Sequence, residues 1–195
     1  MKLTVTIPSQ ERLLEAALFI PPYDAKELAP AILFEGSMTG ATLKLTEHLA
    51  EELSHEGFVC LVLDHSFYSE DETSALCWES PGKRVADIKA ALKFLKQHAI
   101  TDADCVVGVG VSVGAEYLAR AIRETDVCKG FVMVQGAHDD AQNFIGEVDI
   151  PSTILNEKDL SATADEISIW ARSLINKPQS LHRPYGSADW RASHR

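Results

Sequence analysis

Cys105 to Arg120, CVVGVGVSVGAEYLAR, constrains this chain more than any other stretch: a run of branched apolar residues stops at Gly110-Val111-Ser112-Val113-Gly114, and a helical pattern begins at once. The arrangement predicts a buried strand, a sharp turn carrying Ser112, and a helix. A serine on such a turn adopts a sparsely allowed backbone conformation, and strand and helix can pass close to it only if the residues two before and two after are small. Gly110 and Gly114 meet that need. The turn lifts the hydroxyl clear of the sheet edge, while the helix beyond it directs backbone N–H groups and positive dipole toward an anion forming beside it. These are the requirements of a nucleophile elbow. With Gly108, the same glycines also suit a turn that merely packs tightly, or one that cradles a phosphate. A dinucleotide fingerprint prefers the first strand of its domain, with an acid ending the next strand about twenty residues on. Here the turn lies mid-chain and the next apolar run ends near Gln135.

Strand and helix patterns alternate on either side. Leu3 to Ile7 and Leu13 to Ile20 are apolar runs parted by Pro8-Ser9-Gln10, which predicts an antiparallel opening hairpin ended by Pro21 and Pro22. Ala31-Ile32-Leu33-Phe34 is short and continuously apolar, the pattern of a buried parallel strand, and it ends at Glu35-Gly36-Ser37. Thr39 to Glu56 carries Leu45, Leu49 and Leu53 at four-residue spacing, with Gly57 at the expected C-cap, and Phe58 to Leu63 reads as the next buried strand. Ser80-Pro81 opens a helix with Val85, Ile88, Leu92 and Leu95 on one face. After the elbow, Ala115, Leu118, Ala119 and Ile122 mark a buried helix face, and Gly130 to Val134 is a further apolar run. Gly136 to Asp149 predicts a short loop with no sizeable lid. Ser152 to Leu155 reads as a weaker strand, Thr163 opens a helix through a capping box with Glu166, and Ile167, Trp170, Ala171 and Leu174 form its stripe. Gln179 to Tyr185 would be a last strand. The expectation is a single α/β domain over residues 1–195, with a mostly parallel sheet, an antiparallel N-terminal hairpin and helices on both faces.

Composition narrows the partners. Aspartate and glutamate total 29 against 18 lysine and arginine, and the formal charge of −11 repels phosphate backbones and anionic lipid. Neither nucleic acid nor membrane is expected. The amino terminus meets a proline and charges before any apolar stretch long enough for a signal peptide, so a soluble cytoplasmic protein is expected. With 195 residues the chain can bury a core that stands without disulfides or metal. Cys60, Cys105 and Cys128 fall in or beside strands and Cys77 in a loop, with no metal-ligand spacing, so they read as reduced and mostly structural. No cofactor and no metal are expected.

The order of elements, with an elbow after the fifth strand, resembles the α/β-hydrolase fold family over nearly the whole chain, and within it the small lidless serine hydrolases of the dienelactone hydrolase branch. Pro30 to Gly36 is similar to their third strand and its turn, including the glutamate that dienelactone hydrolases carry at the position of Glu35. Those enzymes usually have cysteine at the elbow, where this chain has Ser112. The resemblance implies an oxyanion hole made by the backbone N–H of Val113 and an N–H near Ser37. Ser37 also reads as an ordinary turn residue. Ile150 to Asp159 resembles the segment that ends in the triad acid, which points to Asp159. An acid there equally suits the start of the next helix, and Asp139 or Asp140 could serve instead.

For the base, Ser187-Ala188-Asp189-Trp190 is similar to the segment where relatives have their catalytic histidine, yet Trp190 occupies the matching position. His194, the one histidine beyond the predicted last strand, is the expected base, with His138 and His182 as alternatives. The chain stops at Arg195 where relatives continue into a final helix, and a second subunit in a homodimer would cover the surface left bare. Tyr68 and Trp78 either line the pocket or cover the core. The function expected is a serine hydrolase acting on a small ester or thioester, with Ser112 attacking and water releasing the acyl group. The alternatives are a catalytically inactive binding or scaffold protein of the same architecture, and a nucleotide-binding module using Gly108 to Gly114.

Overall fold

The computed structural model describes residues 1–22, 28–36, 40–63, 81–135, 148–156 and 159–175, and the side chains of 40–42 are left aside. Among the described residues seven strands form one sheet in the order β1-β2-β4-β3-β5-β6-β7. They are β1 (Lys2–Ser9), β2 (Arg12–Phe19), β3 (Ala29–Glu35), β4 (Val59–Leu63), β5 (Thr101–Val111), β6 (Gly130–Gln135) and β7 (Ser152–Asn156). β2 runs antiparallel to both its neighbours, and every other pairing is parallel. The carboxyl ends of β3 to β7 therefore share one edge, where α/β proteins place their ligand sites.

Four helices are described: α1 (Gly40–His55), α2 (Pro81–Gln97), α3 (Gly114–Arg123) and α4 (Leu160–Ile175). α2 and α3 pack on one face of the sheet through Ile88, Leu92, Leu95, Leu118 and Ile122. α1 and α4 cover the other through Leu49, Leu53, Ile167 and Ala171. Both faces are buried, which is why β3 and β4 read as unbroken apolar runs. Ile32, Leu33 and Phe34 are fully buried, and each such side chain contributes about 1.5–3 kcal/mol of burial free energy. In β5 the alternation of valine and glycine has a directional meaning. Val107, Val109 and Val111 point into the α1/α4 face, and Gly108 and Gly110 lie on the other, beneath α3.

Two boundaries differ from expectation. Pro8 and Ser9 are not turn residues; they end β1, paired with Leu13 and Arg12. Proline is tolerated because β1 is an edge strand among those described. Gln10, at φ 51°, makes the turn instead. α4 starts at Leu160, before Thr163, because Asp159 caps it: Asp159 Oδ1 accepts the Ala162 N–H at 3.0 Å. Thr163 donates its hydroxyl to the Asp159 carbonyl at 3.0 Å rather than opening the helix. The hairpin is fastened to α2 by the buried Asp87, whose carboxylate accepts Ser9 Oγ at 2.6 Å and the Arg12 guanidinium. No described helix is long and apolar enough to cross a membrane.

Candidate active site

Ser112 has φ 52°, left-handed backbone that L-residues avoid at a cost of about 1–3 kcal/mol. The surroundings hold it there. Its N–H continues the β5–β6 ladder by donating to the Val134 carbonyl at 3.1 Å, and its own carbonyl accepts the Ala115 N–H at 3.0 Å, where α3 begins. A Cβ on Gly110 would lie 2.4 Å from the Ala115 Cα, so only glycine lets the helix start this close to the strand. A Cβ on Gly114 would lie 2.4 Å from the Glu35 carbonyl oxygen and 2.7 Å from that of Gly36. The elbow is thus pressed against the end of β3. Val113, at the N-cap of α3, is 53% exposed and supplies no side-chain cap. The Ala115 and Glu116 N–H groups donate to the Ser112 and Val113 carbonyls at 3.0 and 3.2 Å, so the N–H groups this end can turn to an anion are those before them in the chain.

The end of β3 carries a buried ion pair. Glu35 is 0% exposed and Arg84, from α2, 1%. Arg84 Nε and Nη2 each lie 2.6 Å from Glu35 Oε1, and Nη2 also donates to the Gly36 carbonyl. The guanidinium carbon sits 4.4 Å from the Tyr117 ring centroid, which ties the pair to α3. Arg84 escaped the sequence reading although a signal existed: with Ile88, Ala91 and Leu95 it keeps the helical spacing of the buried stripe of α2. An arginine on an otherwise apolar stripe needs a buried partner.

On the far side of Ser112, Gln135 ends β6 and Asn156 ends β7, and Gln135 Nε2 donates to Asn156 Oδ1 at 2.9 Å. Three residues on, Asp159 is exposed at the start of α4 with one carboxylate oxygen on the Ala162 N–H. Both Ser112 and Asp159 therefore lie at the carboxyl edge of the sheet, after β5 and after β7, with β6 between them. Ser37, His194, Asp139, Asp140, His138, His182, Tyr68, Trp78 and Cys77 lie outside the described residues. Of the described histidines, His48 is exposed midway along α1, while His55 and His98 are at the amino edge of the sheet, preceding β4 and β5. None of these three stands at the elbow's end of a strand.

Among the described residues no three histidine, cysteine, aspartate or glutamate side chains are grouped to hold a metal ion. Burial pushes the Cys60 thiol well above its ordinary value, that of Cys128 up to about 12, and, with help from Asp102, that of Cys105 up to about 11. These thiols stay protonated at neutral pH and are poor nucleophiles.

Sheet order, helix placement and elbow together define the α/β-hydrolase fold, and the likeness within it is to dienelactone hydrolase-like and lidless serine hydrolase structures. One is the dienelactone hydrolase of Anabaena variabilis, with TM-score 0.70 and 17% identity over 89% of this chain and 98% of that one. Est1E from Butyrivibrio proteoclasticus superposes with TM-score 0.68 and 13% identity, over 89% of this chain and 99% of that one. An α/β serine hydrolase without a lid from Xanthomonas campestris gives TM-score 0.63 and 16% identity, covering 91% and 97%. In sequence, the chain is 28% identical over 109 residues to the uncharacterised protein YcjY of Escherichia coli, 55% of this chain and 36% of that protein. It thus spans about a third of that relative's length. No protein-family model matches the chain.

Proposed function

We propose that the protein is a serine hydrolase that cleaves a small ester or thioester through an acyl-enzyme on Ser112. The observation that carries this reading is Ser112 at φ 52° between two glycines that admit no Cβ. Strain of this kind persists only where the surroundings over-determine it, and it serves to present one hydroxyl at the amino end of a helix. In the proposed reaction Ser112 Oγ attacks the carbonyl carbon and its proton passes to an imidazole. The resulting oxyanion is bound by the Val113 N–H and an N–H on the turn after β3. The imidazole returns the proton to the leaving group, and water, activated by the same base, releases the acid.

Asp159 is the acid of this reading and His194 the base, with His138 and His182 behind it. Adjacent strands are about 4.8 Å apart, so the ends of β5 and β7 are separated by roughly 10 Å, a gap that an imidazole between Ser112 and Asp159 would occupy. Support for hydrolysis of small substrates comes from neighbours named as a dienelactone hydrolase and an α/β serine hydrolase without a lid. The reading places the protein in the cytoplasm, without cofactor.

Incubation with a fluorophosphonate probe tests it. Wild-type protein should be labelled on Ser112 and the Ser112→Ala variant should stay blank. A wild-type protein that remains unlabelled while a control hydrolase reacts would sink the proposal. One observation favours a second reading, a binding or scaffold protein without turnover: Asp159 is exposed and already engaged as a helix cap. An unlabelled Ser112 together with a silent esterase screen would select it.

A further inference from the structure

The outer edge of β1 pairs with no described strand, and the hairpin fixes which of its peptide groups face outward. Met1 and Ile20 exchange both main-chain hydrogen bonds, at 2.6 and 2.8 Å. Such pairs recur at every second residue of an antiparallel ladder. Leu3, Val5 and Ile7 therefore turn their peptide groups to β2, whereas Lys2, Thr4 and Thr6 turn theirs away from it. Edge strands ordinarily discourage pairing with charge, proline or a bulge. Here Lys2 and Pro8 stand only at the two ends, the register is unbroken, and Leu3 to Ile7 between them is uncharged and mostly β-branched. The side chains on the α2 face are Met1, Leu3, Val5 and Ile7; Ile7 is buried, but Met1 is 63% and Leu3 38% exposed. Beside Ile7 lies an open groove of about 390 Å³, with Pro8, Ala90, Lys93 and Phe94 in its wall.

We propose that β1 pairs antiparallel with β1 of a second copy of this chain, about a two-fold axis through the two Thr4 residues, so that one sheet runs through both subunits. This register sets Lys2 opposite Thr6 of the partner subunit, uses every outward N–H and leaves Pro8 beyond the ladder, where its missing donor costs nothing. Leu3 then meets the partner subunit's Val5, and Met1 meets the partner subunit's Ile7, as non-hydrogen-bonded pairs with Cα atoms about 4.5 Å apart. Met1 is thereby set beside the partner's groove, where Ala90 and Phe94 offer apolar cover to a side chain that one subunit alone leaves exposed. The two grooves fall at opposite ends of the shared ladder, roughly 20 Å apart. On the α1 face Thr6 lies between Glu15, opposite it in β2, and Lys2 of the partner subunit, so opposite charges share a row. The interface is self-complementary, as a two-fold dimer requires. It has β2, β4 and β3 between it and the elbow strand, and it does not depend on the hydrolase reading.

A single strand pair is a small interface, so association in the micromolar range is expected, and sedimentation velocity on the full chain from about 1 to 200 μM tests it. Wild-type protein should pass from monomer to dimer as concentration rises. Thr4→Pro removes a donor on the axis and no bond to β2, so it should stay monomeric and melt within a few degrees of wild-type monomer. Thr4→Cys under mild oxidation should give a disulfide-linked dimer above the wild-type background, because hydrogen-bonded pairs about 5.5 Å apart at Cα suit a disulfide. Thr6→Cys, set opposite Lys2, should not. The two cysteine variants decide the register even if Thr4→Pro unfolds. A wild-type protein that stays monomeric throughout, a folded Thr4→Pro that dimerises as wild type does, or equal cross-linking at both positions overturns the proposal. Amide exchange read by NMR closes the test: the Thr4 and Thr6 amides should be protected at high concentration and exposed on dilution. Protection that persists in the monomer would mean that the chain covers this edge itself, and would overturn the proposal as well.

Discussion

On the β3 side of Ser112 the carboxyl edge ends in a fully buried glutamate, a buried arginine and a main chain in contact with Gly114; on the β7 side it ends in Gln135, Asn156 and an exposed Asp159, joined by hydrogen bonds in reach of solvent. The first side cannot move without disturbing the core. The second is held by contacts that each contribute about 0.5–1.5 kcal/mol. Under the hydrolase reading, a chemical demand matches each. Donors for an oxyanion gain their effect from being fixed before charge develops, so they belong on the buried side. A carboxylate that orients a histidine must meet a residue from elsewhere in the chain, and an exposed helix cap leaves its second oxygen open to one.

The largest effect that would break this contrast comes from Glu35→Leu. It leaves the Arg84 guanidinium buried without its counter-charge, and removing one partner of a buried pair typically costs about 3–5 kcal/mol. At roughly 2–4 °C per kcal/mol for a chain of this size, thermal unfolding should shift down by about 10 °C or more. A shift of only one or two degrees would mean that the two sides are held equally loosely.

Next in size is Gly114→Ala. The new methyl would meet two main-chain carbonyl oxygens at 2.4 and 2.7 Å, and backbone cannot swing aside as a side chain can. Overpacking of this kind costs about 1–3 kcal/mol or more, and the relief available is to part α3 from the end of β3. Loss of stability should therefore come with a lower rate of fluorophosphonate labelling at Ser112. Labelling at the wild-type rate would show that contact between elbow and β3 is dispensable.

How far all this was legible from residues alone follows the same divide. The alternation of valine and glycine in β5 and the G-x-S-x-G turn carry their packing locally, so strand, elbow and the burial of Ala115, Leu118, Ala119 and Ile122 could be read directly. Arg84 and Asp87 could not be paired, since their partners Glu35 and Arg12 lie 49 and 75 residues away in the chain. A lone charge in a helix ordinarily marks the solvated face, and only the fold shows the opposite charge that each one meets. Pro8 was misplaced because turn propensity overlooks that an edge strand needs no ladder donor at that position. The start of α4 was misplaced because two capping signals, Asp159 and Thr163, compete within one turn, and propensity alone does not rank them.

The smallest effect on stability bears most on chemistry, and it comes from the two ways of changing Asp159. As a helix cap its carboxylate accepts the Ala162 N–H, and Asp159→Ala should cost about 1 kcal/mol, a shift of a few degrees. Asparagine caps a helix about as well as aspartate, so Asp159→Asn should leave the unfolding temperature near wild type. The variant still lacks the negative charge that stabilises an imidazolium, and its amide favours the wrong tautomer of a neighbouring histidine; the corresponding change in a serine protease triad lowers kcat about 10⁴-fold. Under the hydrolase reading, Asp159→Asn should therefore melt like wild type and turn over p-nitrophenyl acetate orders of magnitude more slowly. If both variants keep wild-type turnover while Ser112→Ala is inactive, Asp159 is a cap alone and the acid is to be sought at Asp139 or Asp140. If Asp159→Asn loses stability as far as Asp159→Ala does, the charge of Asp159 matters to the helix dipole more than its hydrogen bond, and the exposed side of the site is held by electrostatics that added salt should weaken.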